Sequence, residues 1–85
     1  MPTIASFYGI IIMMHLRDKE HEPPHIHVFY GDDNATFEIE SGNILWGGEF
    51  PKTGTKLVRK FISLYKKELL EMWNTGIYYS LPPIK

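Results

Sequence analysis

His25-Ile26-His27-Val28-Phe29-Tyr30, then Gly31-Asp32-Asp33-Asn34, then Ala35-Thr36-Phe37-Glu38-Ile39-Glu40: this stretch decides the fold. Two runs of branched and aromatic residues flank a run of turn formers, the pattern of an antiparallel hairpin. Centring the turn on Asp32-Asp33 pairs Val28 with Phe37 and Ile26 with Ile39, which makes one face apolar. The opposite face then pairs His27 with Glu38 and His25 with Glu40. A slip of one residue would exchange the two faces, so the alternation itself favours this arrangement. Facing side chains in such a ladder stand about 5 Å apart at Cβ. At that range a carboxylate stabilises an imidazolium and orients its ring.

Upstream, residues 7–16 are apolar or β-branched at nearly every position, which predicts one continuous strand covered on both faces. Gly9 within it would mark a bulge or a close approach of another element. Residues 17–24 form a charged loop ending in Pro23-Pro24, which holds the entry to the histidine strand extended. Downstream, Ser41-Gly42 or Gly42-Asn43 turns the chain into a short strand at 44–46, broken by Gly47-Gly48. Over residues 55–74 the apolar period becomes 3.6. Leu57, Val58, Phe61, Ile62, Leu64, Tyr65, Leu69, Met72 and Trp73 fill one half of the helical wheel, with Gly76 placed to cap the end. The expected fold is α+β: a four-stranded antiparallel sheet with one long C-terminal amphipathic helix packed on one face. Residues 1–85 make a single domain, in which 75–85 are an apolar, proline-containing tail that lies along the sheet, the helix or a partner.

A chain of 85 residues buries a modest core, so an oligomeric contact would add stability. Its hydrophobic content of 44% excludes disorder, and the absence of cysteine excludes disulfides and thiolate zinc sites. The apolar run at 7–14 is too short to span a bilayer, and no signal-peptide pattern is visible, so cytoplasmic residence is expected. The net charge of −1 conceals a separation. Residues 1–50 carry two basic side chains (Arg17, Lys19) against eight acidic ones, whereas residues 51–85 carry seven basic against two acidic.

All four histidines, His15, His21, His25 and His27, fall within residues 15–27. Two on one strand face at i, i+2 suit a divalent transition metal held by bonds of about 2.0–2.1 Å. Glu38, Glu40 or His21 would supply a third ligand to His25 and His27. His25, His27, Glu38 and Glu40 also form a candidate acid–base set for a small ribonuclease. One imidazole would deprotonate a ribose 2′-hydroxyl and the other protonate the leaving oxygen. A His-hydrophobic-His nuclease would need Tyr65 as nucleophile, but that residue lies within the apolar stripe and reads as core. The plain alternative is that the histidines are polar side chains on the wet face of a half-buried sheet.

The polar half of the helix is predominantly basic, with only Lys67 and Glu71 forming an i, i+4 pair of opposite sign. Lys56, Arg59, Lys60, Lys66 and Lys67 occupy it with Leu70 among them, a pattern suited to an anionic partner: an acidic protein, a second copy through the acidic half, or nucleic acid.

Met1-Pro2-Thr3-Ile4, Phe7-Tyr8-Gly9-Ile10, Pro23-Pro24-His25-Ile26-His27, Tyr30-Gly31 and Glu68-Leu69-Leu70-Glu71 with Trp73 two positions on form a combination. In this the chain resembles the short bacterial proteins of the domain-of-unknown-function family forty-one-sixty, up to about Asn74. The resemblance implies no established activity. It does imply a neighbour: members are often encoded beside another small protein, as in toxin–antitoxin pairs. Family members place an Asp-His pair just before the prolines, whereas here Lys19-Glu20 separates Asp18 from His21. The expected function is therefore a small interaction protein with a partner encoded nearby, and the alternatives are the ribonuclease and the metal-binding module.

Overall fold

A computed structural model of the chain describes residues 2–14, 23–47 and 49–84. Five strands and one helix follow in order: β1 (Thr3–Phe7), β2 (Ile10–Met13), β3 (His25–Tyr30), β4 (Asp33–Glu38), β5 (Ile44–Gly47) and α1 (Lys52–Thr75). Each strand pairs antiparallel with the next, giving a meander of order β1-β2-β3-β4-β5. The α+β class and the C-terminal helix agree with the sequence; among the described residues the strand count is five rather than four.

The extra strand comes from a turn concealed in the apolar run. Phe7 pairs with Ile10 across Tyr8 and Gly9, both at positive φ (49° and 79°), as in a type I′ hairpin. A tyrosine seldom adopts that conformation, so Tyr8-Gly9 reads as strand interior. What looks like one long strand is two short ones back to back.

The central hairpin is also tighter than its composition predicts. Tyr30 pairs with Asp33, leaving Gly31-Asp32 as a two-residue loop with Gly31 at φ 62°. Glycine at the first central position suits a type II′ turn, which Asp32-Asp33 could not supply. The register therefore moves by two residues: Val28 faces Ala35, Ile26 faces Phe37, His27 faces Thr36 and His25 faces Glu38. An even shift preserves which side chains share a face but replaces every partner.

Ile10, Ile12, Met14, Ile26, Val28, Phe37 and Ile39 meet Val58, Phe61, Ile62, Leu69 and Met72 of the helix in one buried cluster. Phe7 stacks on Phe61 with ring centres 5.2 Å apart. The helix starts at Lys52, earlier than its periodicity indicates, with Thr55 N–H bonding the Pro51 carbonyl. It ends at Gly76, whose left-handed conformation (φ 74°) lets its N–H reach the Met72 carbonyl, the expected cap. Tyr65 departs from helical geometry, dividing α1 into two helical stretches.

Beyond Gly76 the tail returns to the sheet. Leu81 N–H donates to the Ile4 carbonyl at 2.8 Å, and Leu81 and Ile84 are buried. Of the placements open to the tail, it takes the one along β1. Tyr79, 41% exposed, hydrogen-bonds Glu71; desolvation first, then the charges of Glu71 and Glu68, raise its pKa above the ordinary 10.0. No helix among the described residues is long and apolar enough to cross a membrane.

Candidate functional site

The two prolines set the entrance to β3. A proline has no N–H to place in a ladder, so it suits the residue before a strand, where its carbonyl still accepts. Both carbonyls are occupied here: Pro24 accepts from Ile39 N–H at 3.0 Å, and Pro23 accepts from the His25 ring at 2.7 Å. Because a carbonyl only accepts, His25 Nδ1 carries a proton. The ring lies 5.0 Å from Trp73 of the helix, 5.7 Å from Trp46 of β5 and 5.2 Å from His27, the last two edge to face. His25 is 1% exposed. Instead of standing on a wet sheet face, it fills an aromatic niche between the two tryptophans.

The surrounding side chains are not those expected. Glu40 does not face His25; it lies in the turn after β4, outside the ladder. Glu38 is opposite His25 rather than His27, and its carboxylate accepts the Ser41 hydroxyl. Ser41 Oγ also accepts Asn43 N–H at 3.1 Å, and the Glu38 carbonyl accepts Gly42 N–H at 2.8 Å, so Glu38 organises the β4–β5 turn. His27 is half-buried, with Nδ1 3.5 Å from the Thr36 hydroxyl. The structure thus keeps His25 and His27 together but disperses the four-residue acid–base set into a histidine pair and a turn.

With Nδ1–H held by the Pro23 carbonyl, Nε2 is the His25 ring nitrogen that would present a lone pair to a metal. His21, the expected third ligand, lies outside the described residues, as does His15. Among the described residues, no group of three or more histidine, cysteine, aspartate or glutamate side chains is placed to hold an ion. Trp73, placed by its spacing in the apolar half of the helix, is buried as that placement predicts, and its Nε1 meets no acceptor among the described residues. Trp46 of β5 is 56% exposed over His25. The meeting of both tryptophans at His25 depends on pairings no local pattern encodes.

The basic face of α1 resolves into two groups. Arg59 and Lys66 turn inward to the β4–β5 turn. Arg59 Nε–H donates to the Gly42 carbonyl at 3.0 Å, and the Lys66 ammonium donates to the Glu40 carbonyl at 2.7 Å. Lys56, Lys60 and Lys67 are exposed and form an outward ridge at i, i+4, i+11. Leu70, expected among these charges, instead packs half-buried against the core. Leu64, expected in the apolar half, is 58% exposed beside the ridge. Leu64 lies near the border of the stripe, where a wheel drawn for a regular helix is least able to decide, whereas Leu70 falls well inside the polar half on such a wheel. The irregularity at Tyr65 falls between them.

The family model for Domain of unknown function (DUF4160) matches residues 9–74, which contain His25 and His27, both tryptophans and the ridge. The chain belongs to this family. No curated protein and no solved structure matches it. The DUF4160 segment begins at the Tyr8-Gly9 turn and ends inside the last turn of α1, so β1 and the tail lie outside it.

Proposed function

We propose that this DUF4160 protein is a small cytoplasmic interaction module that binds an acidic protein encoded beside it, in a pair organised like a toxin and its antitoxin. The observation that carries this reading is the outward ridge of α1. Lys56, Lys60 and Lys67 are exposed and make no ion pair or hydrogen bond among the described residues, and Leu64 stands exposed next to them. A helix face that only needs solvation mixes its charges, whereas a cationic ridge bordered by a leucine combines long-range attraction with an apolar anchor. The anchor is what favours protein over nucleic acid.

The test is calorimetry between the purified chain and the purified product of the adjacent gene. Lys60→Gln with Lys67→Gln is expected to weaken binding chiefly at low salt, because exposed charges act within a Debye length of about 8 Å at physiological ionic strength. Leu64→Ser is expected to weaken it at every salt concentration. A duplex or single-stranded RNA that binds with steep salt dependence, indifferent to Leu64→Ser, would transfer the ridge to nucleic acid. Native affinity in both variants would remove the ridge from the function altogether.

A further inference from the structure

The β4–β5 turn and the middle of α1 face each other across a cleft of about 210 Å³, lined by Glu40 and Gly42 on one side and Arg59, Ile62, Ser63 and Lys66 on the other. Arg59, Ser63 and Lys66 follow i, i+4, i+7, so two cations with a hydroxyl between them share one stripe of the helix. Each cation is held by a backbone carbonyl: Gly42 for Arg59 Nε, Glu40 for the Lys66 ammonium. Such a bond fixes a side chain without neutralising its charge. Arg59 retains Nη1, while Nη2 donates to Asn43 Oδ1 at a long 3.5 Å, and Lys66 retains further N–H donors. Gly42 is buried, and a Cβ there would stand 3.5 Å from Arg59 Cγ, so the turn backbone lies along the arginine stem. Donors already immobilised lose less freedom on meeting a ligand. Glu40 supplies the one carboxylate of the lining, leaving a net positive charge.

We infer that this cleft binds a small tetrahedral oxyanion: phosphate, free or as a monoester on another molecule. The arginine fork and the lysine ammonium are complementary to its charge, and Ser63 adds a donor between them. Its volume is below the roughly 300–1,000 Å³ of pockets that enclose drug-sized ligands, which suits one phosphate group rather than a nucleotide. The site is independent of the helix ridge, since Lys56, Lys60 and Lys67 take no part in it.

The experiment is an NMR titration of the ¹⁵N-labelled full chain with inorganic phosphate, with phosphoserine, and with potassium chloride at matched ionic strength. Saturating shifts at Arg59 Nε–H and at the Gly42 and Ser63 amides are expected with phosphate and absent with chloride. Phosphoserine binding more tightly would identify a monoester as the source, and inorganic phosphate binding alone would identify the free ion. Ser63→Ala removes no hydrogen bond of that side chain among the described residues and is expected to weaken binding severalfold. Glu40→Gln removes a like charge while keeping the carbonyl that holds Lys66, and is expected to tighten binding severalfold. Shifts that never saturate, or that spread equally over Lys60 and Lys67, overturn the site, as does a Glu40→Gln protein that binds no better than the native one.

Discussion

Replacing His25 with alanine separates a structural histidine from a reactive one. The substitution removes the hydrogen bond to the Pro23 carbonyl and the ring contacts with Trp46 and Trp73. A net hydrogen bond contributes about 0.5–1.5 kcal/mol, and each aromatic contact about as much again beyond its area. The expected loss is therefore roughly 2–4 kcal/mol, a large part of the stability of about 5–15 kcal/mol typical of a domain. At about 4–8 °C per kcal/mol for a domain of this size, the melting temperature falls by roughly 10–30 °C. Urea unfolding followed by tryptophan emission is well suited to the measurement, because both tryptophans of the chain, Trp46 and Trp73, lie against the imidazole. His27→Ala, at a half-buried position, serves as the comparison and is expected to lose less than about 1.5 kcal/mol. A His25→Ala protein within about 0.5 kcal/mol of native, with an unchanged urea slope, would refute the niche as a source of stability and return His25 to the list of chemical groups.

Gly47→Ala is expected to destabilise by about 2–4 kcal/mol, because φ is 119° there and a Cβ would stand 2.7 Å from Ala35 Cα; Gly31→Asn, with nothing within 4 Å, serves as the mild control in the same denaturation series. The raised pKa of Tyr79 means that its contribution is fully present below the ordinary value of 10.0 and is lost as pH rises through the elevated one, when a phenolate would face Glu71 and Glu68. Absorbance titration at alkaline pH should therefore show one tyrosine ionising late, and Tyr79→Phe should abolish that step. Leu81→Asp places a charge where a buried leucine packs beside β1, and light scattering should report self-association as that edge opens.

Much of the architecture is legible because it rests on period and parity. The 3.6 repeat locates α1, Gly76 marks its end, and strict alternation keeps Ile26 and Val28 on the core face even though the register moves by two. Turn chemistry is where the reading fails, since Tyr8 occupies a conformation that tyrosine rarely enters and Gly31, not Asp32, opens the central hairpin. The histidine pair is visible as spacing, but its surroundings are not. Trp46 comes from β5 and Trp73 from the far end of α1, and contacts across such separations have no local signature. The division of the basic face is hidden for the same reason. Arg59 and Lys66 are turned inward by the carbonyls of Gly42 and Glu40, which only the closed fold brings near.

The bond between Leu81 and Ile4 has a kinetic meaning. Tight hairpins such as β1–β2 and β3–β4 close in about 1–10 μs. The Leu81 N–H reaches Ile4 only by closing a loop of almost the whole chain, whose entropy cost must be met by contacts formed earlier. During folding, β1 therefore spends an interval paired on one side and open on the other, a template for another molecule in the same state. Refolding should accordingly run cleanly when dilute and lose yield as concentration rises. Covering the outer edge of the sheet at the end of the pathway makes the last residues to dock the ones that decide whether the chain leaves it alone.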